Sequence, residues 1–361
     1  MNHLELFSGI GGFRRAMELI QKDGLMSFST IGYSENNERA ATTYRANYDI
    51  SNELEIGDIV KFTSKLANIK KLACIDILSG GFPCQAFSMM GNLMGFDEYR
   101  GQMFFRIMDI VNVKKPKYIL LENVKNLLVH KGGGTYARII EEIDKAGYNQ
   151  QTLLLNSADY GLPQRRYRVL IFARRKHLGK FSFSEEDIKS HFESINKSSC
   201  SLSIYKDVLD LLSKHVGSKY YLSERVKPTI LSDGTGGYKS HSEIDQIIAR
   251  TLTATMNKMH RACQDNYYSD EFLLSNGKSR PSERMSKDEL SKIAIRKLTP
   301  EEAFMLQGFP ARFVKNARKK GVSDGALYTQ SGNAVSVNTV YALLHFLISN
   351  NIICERRYTR D

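Results

Sequence analysis

The chain of 361 residues lacks any apolar run that could cross a bilayer. Its longer runs, such as Tyr341 to Ile348, fall far short of the roughly 20 residues a membrane helix needs. No basic-then-apolar leader is expected, because Arg14 and Arg15 follow the first apolar run. Cysteine is sparse: Cys74, Cys84, Cys200, Cys263 and Cys354 are an odd number, at spacings that match neither a zinc-ligand pair nor a disulfide framework. Reduced thiols and no metal site are the expectation. Internal repeats are absent. Hydrophobic residues at 42% and charged residues at 25% leave no room for a disordered or fibrous reading. The expected class is a globular cytoplasmic protein with no membrane partner.

What the chain has in excess is positive charge. Lys and Arg number 51 against 39 Asp and Glu, a formal net charge of +12. The excess is densest after residue 295, and a polyanion, nucleic acid first, is the partner such a bias attracts. A merely soluble basic surface remains the bland alternative.

The first half alternates β-rich and amphipathic runs. Strands are expected at Leu4–Phe7, Thr30–Tyr33, Leu54–Ile56, Cys74–Ser79, Tyr118–Leu121, Thr152–Leu155 and Val169–Ala173. Helices are expected at Phe13–Gln21, Glu38–Asn47, Phe104–Val113 and Tyr136–Ala146. This rhythm predicts an α/β fold, a parallel sheet with helices on both faces. It stops near Arg174, and a Ser-, Lys- and Asn-rich stretch follows. The expected division is a catalytic domain at 1–174, a smaller irregular domain at 175–295, and 296–361 returning to the first. Thr299-Pro300-Glu301-Glu302 has the chemistry of a capped helix start. A final helix is expected over Val335–Ile348.

Candidate chemistry gathers at the strand ends. The first strand runs into Phe7-Ser8-Gly9-Ile10-Gly11-Gly12 and a helix, a turn whose glycines let backbone approach a nucleotide-like ligand. Glu35 follows the second strand, placed to accept from a ribose diol, and Asp58 follows the third, placed to accept from an adenine amino group. The spacing suits one nucleoside with a short tail better than a dinucleotide. A tight βα turn without a ligand is the plainer reading. The fourth strand ends in Gly80-Gly81-Phe82-Pro83-Cys84-Gln85, where Pro and glycines around Cys84 suit a nucleophile; Cys74, inside a strand, suits a buried small hydrophobe. Glu122-Asn123-Val124 closes the fifth strand, where desolvation suits Glu122 to proton donation. Gln164-Arg165-Arg166-Tyr167-Arg168 enters the last strand, with alternation putting Arg166 and Arg168 on one face and Arg165 on the other. These arginines either bind an anionic or carbonyl-rich substrate or pair with acids. Gln330 to Val335 is expected to open the final helix, its free N–H groups facing a cofactor or simply capping.

Taken together and in order, FSGIGG (7–12), GGFPCQAFS (80–88), ENV (122–124), QRRYR (164–168), RKLTPEEAFMLQGFP (296–310) and QSGNAV (330–335) resemble the cytosine-5 DNA methyltransferases. The resemblance runs from Leu4 to about Ile348. It implies a Rossmann-like S-adenosylmethionine-dependent methyltransferase sheet with a smaller target-recognition domain. It implies Cys84 as nucleophile on cytosine carbon 6, Glu122 as the acid on ring nitrogen 3, and Arg168, with Arg166 nearby, holding the base carbonyl. For S-adenosylmethionine it implies Phe7, Gly9, Gly11, Gly12, Glu35 and Asp58, with Pro83, Met103, Asn333, Ala334 and Val335 lining the rest. Some relatives carry an aromatic residue directly after the ribose acid, where this chain has Asn36.

For double-stranded DNA the resemblance implies Gln85, the loop from Ser88 to Arg100 closing over a flipped base, a recognition loop with Gly236, Gly237 and Tyr238, and Thr251 of a Thr-Leu pair. It further implies a bacterial or phage enzyme, monomeric, bound to the nucleoid through DNA, with a cognate restriction endonuclease as a companion. A tRNA-directed cytosine-5 methyltransferase and a catalytically silent DNA-binding module are the alternatives. An intact Cys84, an intact glycine loop and about 120 residues of recognition segment weigh against them.

Overall fold

The computed structural model describes residues 1–83, 102–234, 237 and 239–355. Seven strands form one sheet: β1 (Asn2–Leu6), β2 (Ser29–Ser34), β3 (Leu54–Glu55), β4 (Ile77–Gly81), β5 (Tyr118–Val124), β6 (Tyr148–Asn156) and, after the two-residue β7 (Gln164–Arg165), β8 (Tyr167–Arg175). Their order is β3-β2-β1-β4-β5-β8-β6. The helices between them are α1 (Gly12–Lys22), α2 (Glu38–Asn47), α3 (Ile59–Thr63), α4 (Leu66–Lys71), α5 (Gln102–Lys114) and α6 (Gly134–Lys145); α7 (Glu185–Ser194) follows β8. Each expected strand and helix of the first half is present, with bounds shifted by a few residues; Cys74 falls before β4 and is exposed, not a buried thiol within a strand.

The sheet is not all parallel. β1 to β5 pair parallel, but β8 runs antiparallel to both β5 and β6. Only 157–166 separate β6 from β8. A parallel crossover needs a dozen or more residues, so the chain turns back instead.

Two compact units emerge. One comprises Met1–Asn156, Tyr167–Leu202 and Thr339–Asp361; the other comprises Ser157–Arg166 and Ser203–Asn338. These bounds differ from those expected at 174 and 295. Residues 175–202, α7 included, belong to the sheet unit, and 296–338 to the second.

In the sheet unit one face carries Leu4, Leu6, Leu78, Ile119, Leu121, Val169 and Ile171. They pack with Ile59, Ile69, Phe104, Ile107, Ile139 and Ile143 from α3 to α6 in a single apolar core. The i, i+4, i+8 burial of Thr135, Ile139 and Ile143 along α6 is the pattern that seats a helix on a sheet. On the opposite face Phe172 packs edge-on against Phe181 and tilted against Phe183, and Phe183 meets Phe346 of α14 (Val337–Ser349). The final helix therefore contributes to this core, as its apolar sequence suggested.

The second unit is built from short pieces: β9 (Ala249–Arg250), β10 (Tyr267–Ser269), β11 (Ile295–Lys297), α8 (Lys227–Leu231), α9 (Asp270–Leu274), α10 (Lys287–Leu290), α11 (Pro300–Met305), α12 (Arg312–Lys319) and α13 (Asp324–Asn333). At α11 the Thr299 hydroxyl and the Glu302 carboxylate form a reciprocal capping box with Pro300 in the first turn. Glu302 also takes both Nη1 and Nη2 of the fully buried Arg296, 2.8 and 2.9 Å. No helix among the described residues is long and apolar enough to cross a membrane.

The polar face of β1 carries a buried acid. Glu5 is fully buried, accepting from the Tyr44 hydroxyl at 3.3 Å, and burial pushes its carboxyl up to about 8 while Arg14 pulls the other way. The native state thus holds a proton that the unfolded chain gives up near pH 4.5. Stability from this group is complete below that value and is lost as pH rises through about 8. Glu5→Gln has no such proton to lose. In thermal melts from pH 5 to pH 8, the Glu5→Gln chain should gain at least about 1 kcal/mol on the wild type. Parallel curves would show that Glu5 is ionised in the folded state.

Candidate active site

The first half of the site is a cleft at the carboxyl ends of β1, β2 and β4, where open α/β sheets bind ligands. Phe7, Glu35, Asn36, Gly57, Asp58, Ile59, Pro83 and Met103 are among the residues lining about 180 Å³. Phe7 itself sits in the left-handed region (φ 52°), as do Gly9 (φ 55°) and Gly11 (φ 82°). A Cβ on Gly11 would lie 2.5 Å from the Tyr48 ring, whose hydroxyl donates to the Gly11 carbonyl at 2.7 Å. Tyr48 thus braces the loop from below, a role that no motif announced. Gly12 opens α1 with no side-chain cap.

Glu35 holds the same loop from the other side. One carboxylate oxygen accepts from Gly9 N at 2.9 Å and the other from Asn37 N at 2.7 Å. Burial pushes this carboxyl up, and those backbone donors pull it back. Asp58 caps α3 through Oδ1, accepting from Val60 N at 2.9 Å and Lys61 N at 3.3 Å. The walls are apolar at Phe7, Ile59, Val60, Pro83 and Met103 and carry two carboxylates. That combination fits a flat aromatic base with hydroxyl and amino donors.

The second half lies at the end of β5. The Arg168 Nε meets Glu122 Oε1 at 3.0 Å, with both side chains mostly covered. Burial draws the Arg168 guanidinium below its ordinary value, and Glu122 opposes that pull. Between them in sequence terms, Asn123 is 3% exposed and its amide donates to the Phe82 carbonyl at 3.0 Å. The ENV triplet therefore fixes the backbone that leads into Pro83. Sequence reasoning singled out the acid and passed over the amide, although both stand in the same triplet. Cys84, Gln85, Ser88, Arg100, Gly236 and Tyr238 lie outside the described residues.

Two expectations need correction. Arg166 does not keep company with the acid. It is 1% exposed in the second unit, donating to the carbonyls of Leu252 (3.1 Å), Gly332 (3.0 Å) and Ala334 (2.8 Å). It is a bracket for backbone, and a role on substrate is withdrawn. Secondly, Gln330 to Asn333 do not open the final helix; they close α13, with Ala334 as its C-cap. This segment presents carbonyls, not free N–H groups, and Arg166 takes two of them. Val335 stands between α13 and α14. A Cβ on Gly332 would fall 2.2 Å from the Thr253 backbone, so no side chain fits there. Thr251 donates through its hydroxyl to the Arg165 carbonyl at 2.6 Å, and Gly237 has open space around it. Among the described residues no group of His, Cys, Asp and Glu is placed to hold a metal.

A family description, "C-5 cytosine-specific DNA methylase", matches residues 1–349. The chain belongs to that family. Type II methyltransferase M1.ScrFI of Lactococcus lactis subsp. cremoris is 33% identical over 94% of this chain and 76% of its own length. Type II methyltransferase M.HpaII of Haemophilus parainfluenzae is 34% identical over 94% and 87%. Among solved structures, the Entamoeba histolytica methyltransferase EhMeth superposes with a TM-score of 0.73 at 20% identity, covering 97% of this chain and 98% of that one. The last comparison speaks to the fold. The family match makes this chain a DNA cytosine-5 methyltransferase.

For a methylase of this family the two arginines should now behave differently. Arg166→Ala strands three buried carbonyls, each costing about 1–3 kcal/mol, and its melting temperature should fall by several degrees. Arg168→Ala, which leaves Glu122 without its cation, should lose methyl transfer even at temperatures where the variant is fully folded. The reverse pattern would return Arg166 to the substrate.

Proposed function

We propose that this methylase transfers a methyl group to carbon 5 of a cytosine within a short specific sequence of double-stranded DNA. The observation that carries this reading is the Glu122–Arg168 pair at the end of β5, with Asn123 tying that strand to the Phe82 carbonyl just before Cys84. An acid and a guanidinium side by side suit the edge of a cytosine that has left the duplex. Flipping the base costs a few kcal/mol, offset by contacts in the pocket.

Carbon 5 of cytosine is too weak a nucleophile to be methylated directly. The Cys84 thiolate attacks carbon 6, while Glu122, protonated, donates a hydrogen bond to ring nitrogen 3 and stabilises the electron-rich enamine. Arg168 orients Glu122 through Nε and has Nη2 left to hold the base carbonyl. S-adenosylmethionine supplies the electrophilic methyl group. Once carbon 5 has taken that methyl group, with the thioether as leaving group, its proton passes to solvent water, the carbon 6–sulfur bond breaks to release the Cys84 thiolate, and the aromatic ring is restored. The cofactor would be held by Phe7, Glu35, Asp58, Pro83 and Met103, with the backbone of Gly9, Gly11 and Gly12 close by. Glu35 and Asp58 offer acceptors of the kind its ribose and adenine need. Contacts from Asn333, Ala334 and Val335 belong to the same reading, as do DNA contacts from Gln85, Ser88, Arg100, Gly236, Gly237, Tyr238 and Thr251. The relatives' designation as type II methyltransferases supports a further step: methylation that protects host DNA from a restriction endonuclease reading the same sequence. A soluble monomer working on the bacterial nucleoid fits that role.

The test is methyl transfer from labelled S-adenosylmethionine to unmethylated duplex DNA, with tRNA alongside, followed by base-resolution mapping. Label confined to cytosines in one short duplex motif is the expected result; label on tRNA alone would overturn it. Cys84→Ser should abolish turnover while cofactor affinity stays within about twofold. Glu122→Gln should slow the chemical step by about 100-fold or more. Normal turnover in the first variant would sink the covalent route.

A further inference from the structure

Arg165 is the one arginine of the QRRYR segment that neither meets the acid, as Arg168 does, nor brackets backbone carbonyls, as Arg166 does. In the second unit β7 pairs parallel with β9, and the register sets Arg165 directly beside Arg250. Both side chains line a polar groove of about 610 Å³, together with Glu243, Gln246, Thr251 and Gln264. Like charges at paired positions of neighbouring strands repel, and such a pair is disfavoured unless something else in its surroundings offsets it.

Some arginines of this unit are offset by acids. Arg296 pairs with Glu302, and Arg318 with Glu301 and Asp324. Among the described residues neither Arg165 nor Arg250 has an ion pair; Arg250 Nη1 reaches only the backbone carbonyl of Glu243, at 3.0 Å. Glu243, which also lines the groove, has its carboxylate 4.0 Å from His241. Burial holds the Arg250 guanidinium below its ordinary value; Glu243 pulls it back up, and the neighbouring Arg165 adds a smaller push downward. The exposed Arg165 and the half-buried Arg250, side by side on an open groove, set two positive charges against the one carboxylate of its lining, Glu243.

We infer that the Arg165–Arg250 pair clamps a backbone phosphate of the duplex, anchoring the recognition unit on DNA without reading its sequence. A guanine edge is the competing occupant, since one arginine can meet its two acceptors. It is electrically neutral, however, and would leave the repulsion between the two guanidiniums in place. A phosphodiester brings the missing charge and matches the planar fork of each arginine. The Thr251 hydroxyl, bonded to the Arg165 carbonyl, stiffens the strand that presents the pair. The inference rests on the proposed action on duplex DNA.

The experiment is equilibrium binding of the full chain to two labelled duplexes of equal length, one that it methylates and one that it does not, across a salt series. Arg165→Gln and Arg250→Gln should each weaken both duplexes by a similar factor. Each should also flatten the slope of log affinity against log salt by about 0.9. Arg165→Lys and Arg250→Lys, which keep the charge, should restore most of the slope. Should Arg250→Gln melt early, the exposed Arg165 carries the same test alone. An unchanged slope in folded variants overturns the clamp, as does a loss confined to the methylated duplex, which would mean base reading. A wild-type chain that binds tRNA and neither duplex overturns the DNA reading itself, a result distinct from both.

Discussion

The direction of a single strand decides where the chemistry can be. β8 runs against β5, so its first residues lie at the carboxyl end of the sheet, with Arg168 opposite Val124 and Leu170 opposite Glu122. Residues two apart on one strand share a face, and this register brings Arg168 diagonally within 3.0 Å of Glu122. Had β8 run parallel, Arg168 would sit at the far end of β5, about 20 Å away at the rise of a strand. The acid would then face the ligand end of the sheet without its guanidinium. The antiparallel pairing is thus what converts two separate sequence motifs into one site.

That direction was open to sequence reasoning, yet periodicity alone does not carry it. Alternating apolar residues read the same in both senses, so Thr152–Leu155 and Val169–Ala173 were recognisable as strands and not as antiparallel ones. The informative quantity was the short connection between them, which leaves no room for a crossover helix. The positions of α1, α2, α5 and α6, by contrast, were legible to within a few residues, because apolar spacing sets a helical face directly; the short α3 and α4 were not. The capping box at Thr299 was equally legible, since its hydroxyl and carboxylate act on neighbouring backbone and need no distant partner.

Where sequence reasoning misled, the chemistry was ambiguous. Ser331-Gly332-Asn333 has residues that favour either end of a helix, Ser and Asn as N-caps and Gly and Asn beyond a C-terminus. Only the fold decides between them, and it makes this segment the end of α13. The consequence reaches the cofactor argument, for the segment offers carbonyls where N–H groups were expected. The Gly–aromatic contact at Gly11 and Tyr48 was hidden for a different reason: it joins residues 37 apart through packing that no local pattern records. Asn123 shows the reverse case, a residue in plain view whose work became visible only once Phe82 was placed beside it.

The three arginines of the QRRYR segment show most directly how backbone geometry divides labour. Simple alternation predicts that Arg166 and Arg168 share a face, but alternation holds only within one continuous strand. Here β7 ends at Arg165 and β8 begins at Tyr167, so Arg166 occupies the break and points by its own rules. Arg168 inherits the face of β5 and meets an acid. Arg165 inherits the face of β9 and meets another cation. Arg166, between two strands that belong to different units, is consumed by carbonyls of Leu252, Gly332 and Ala334. Identical side chains within four residues thus do separate work, set by the strand each belongs to and not by its place in the motif. A lysine could replace neither Arg166, whose fork spans three acceptors, nor Arg168, whose Nε is the atom that holds Glu122, whereas charge alone would suffice at Arg165. The position that looks least constrained in the segment is for that reason the one best suited to holding a phosphate.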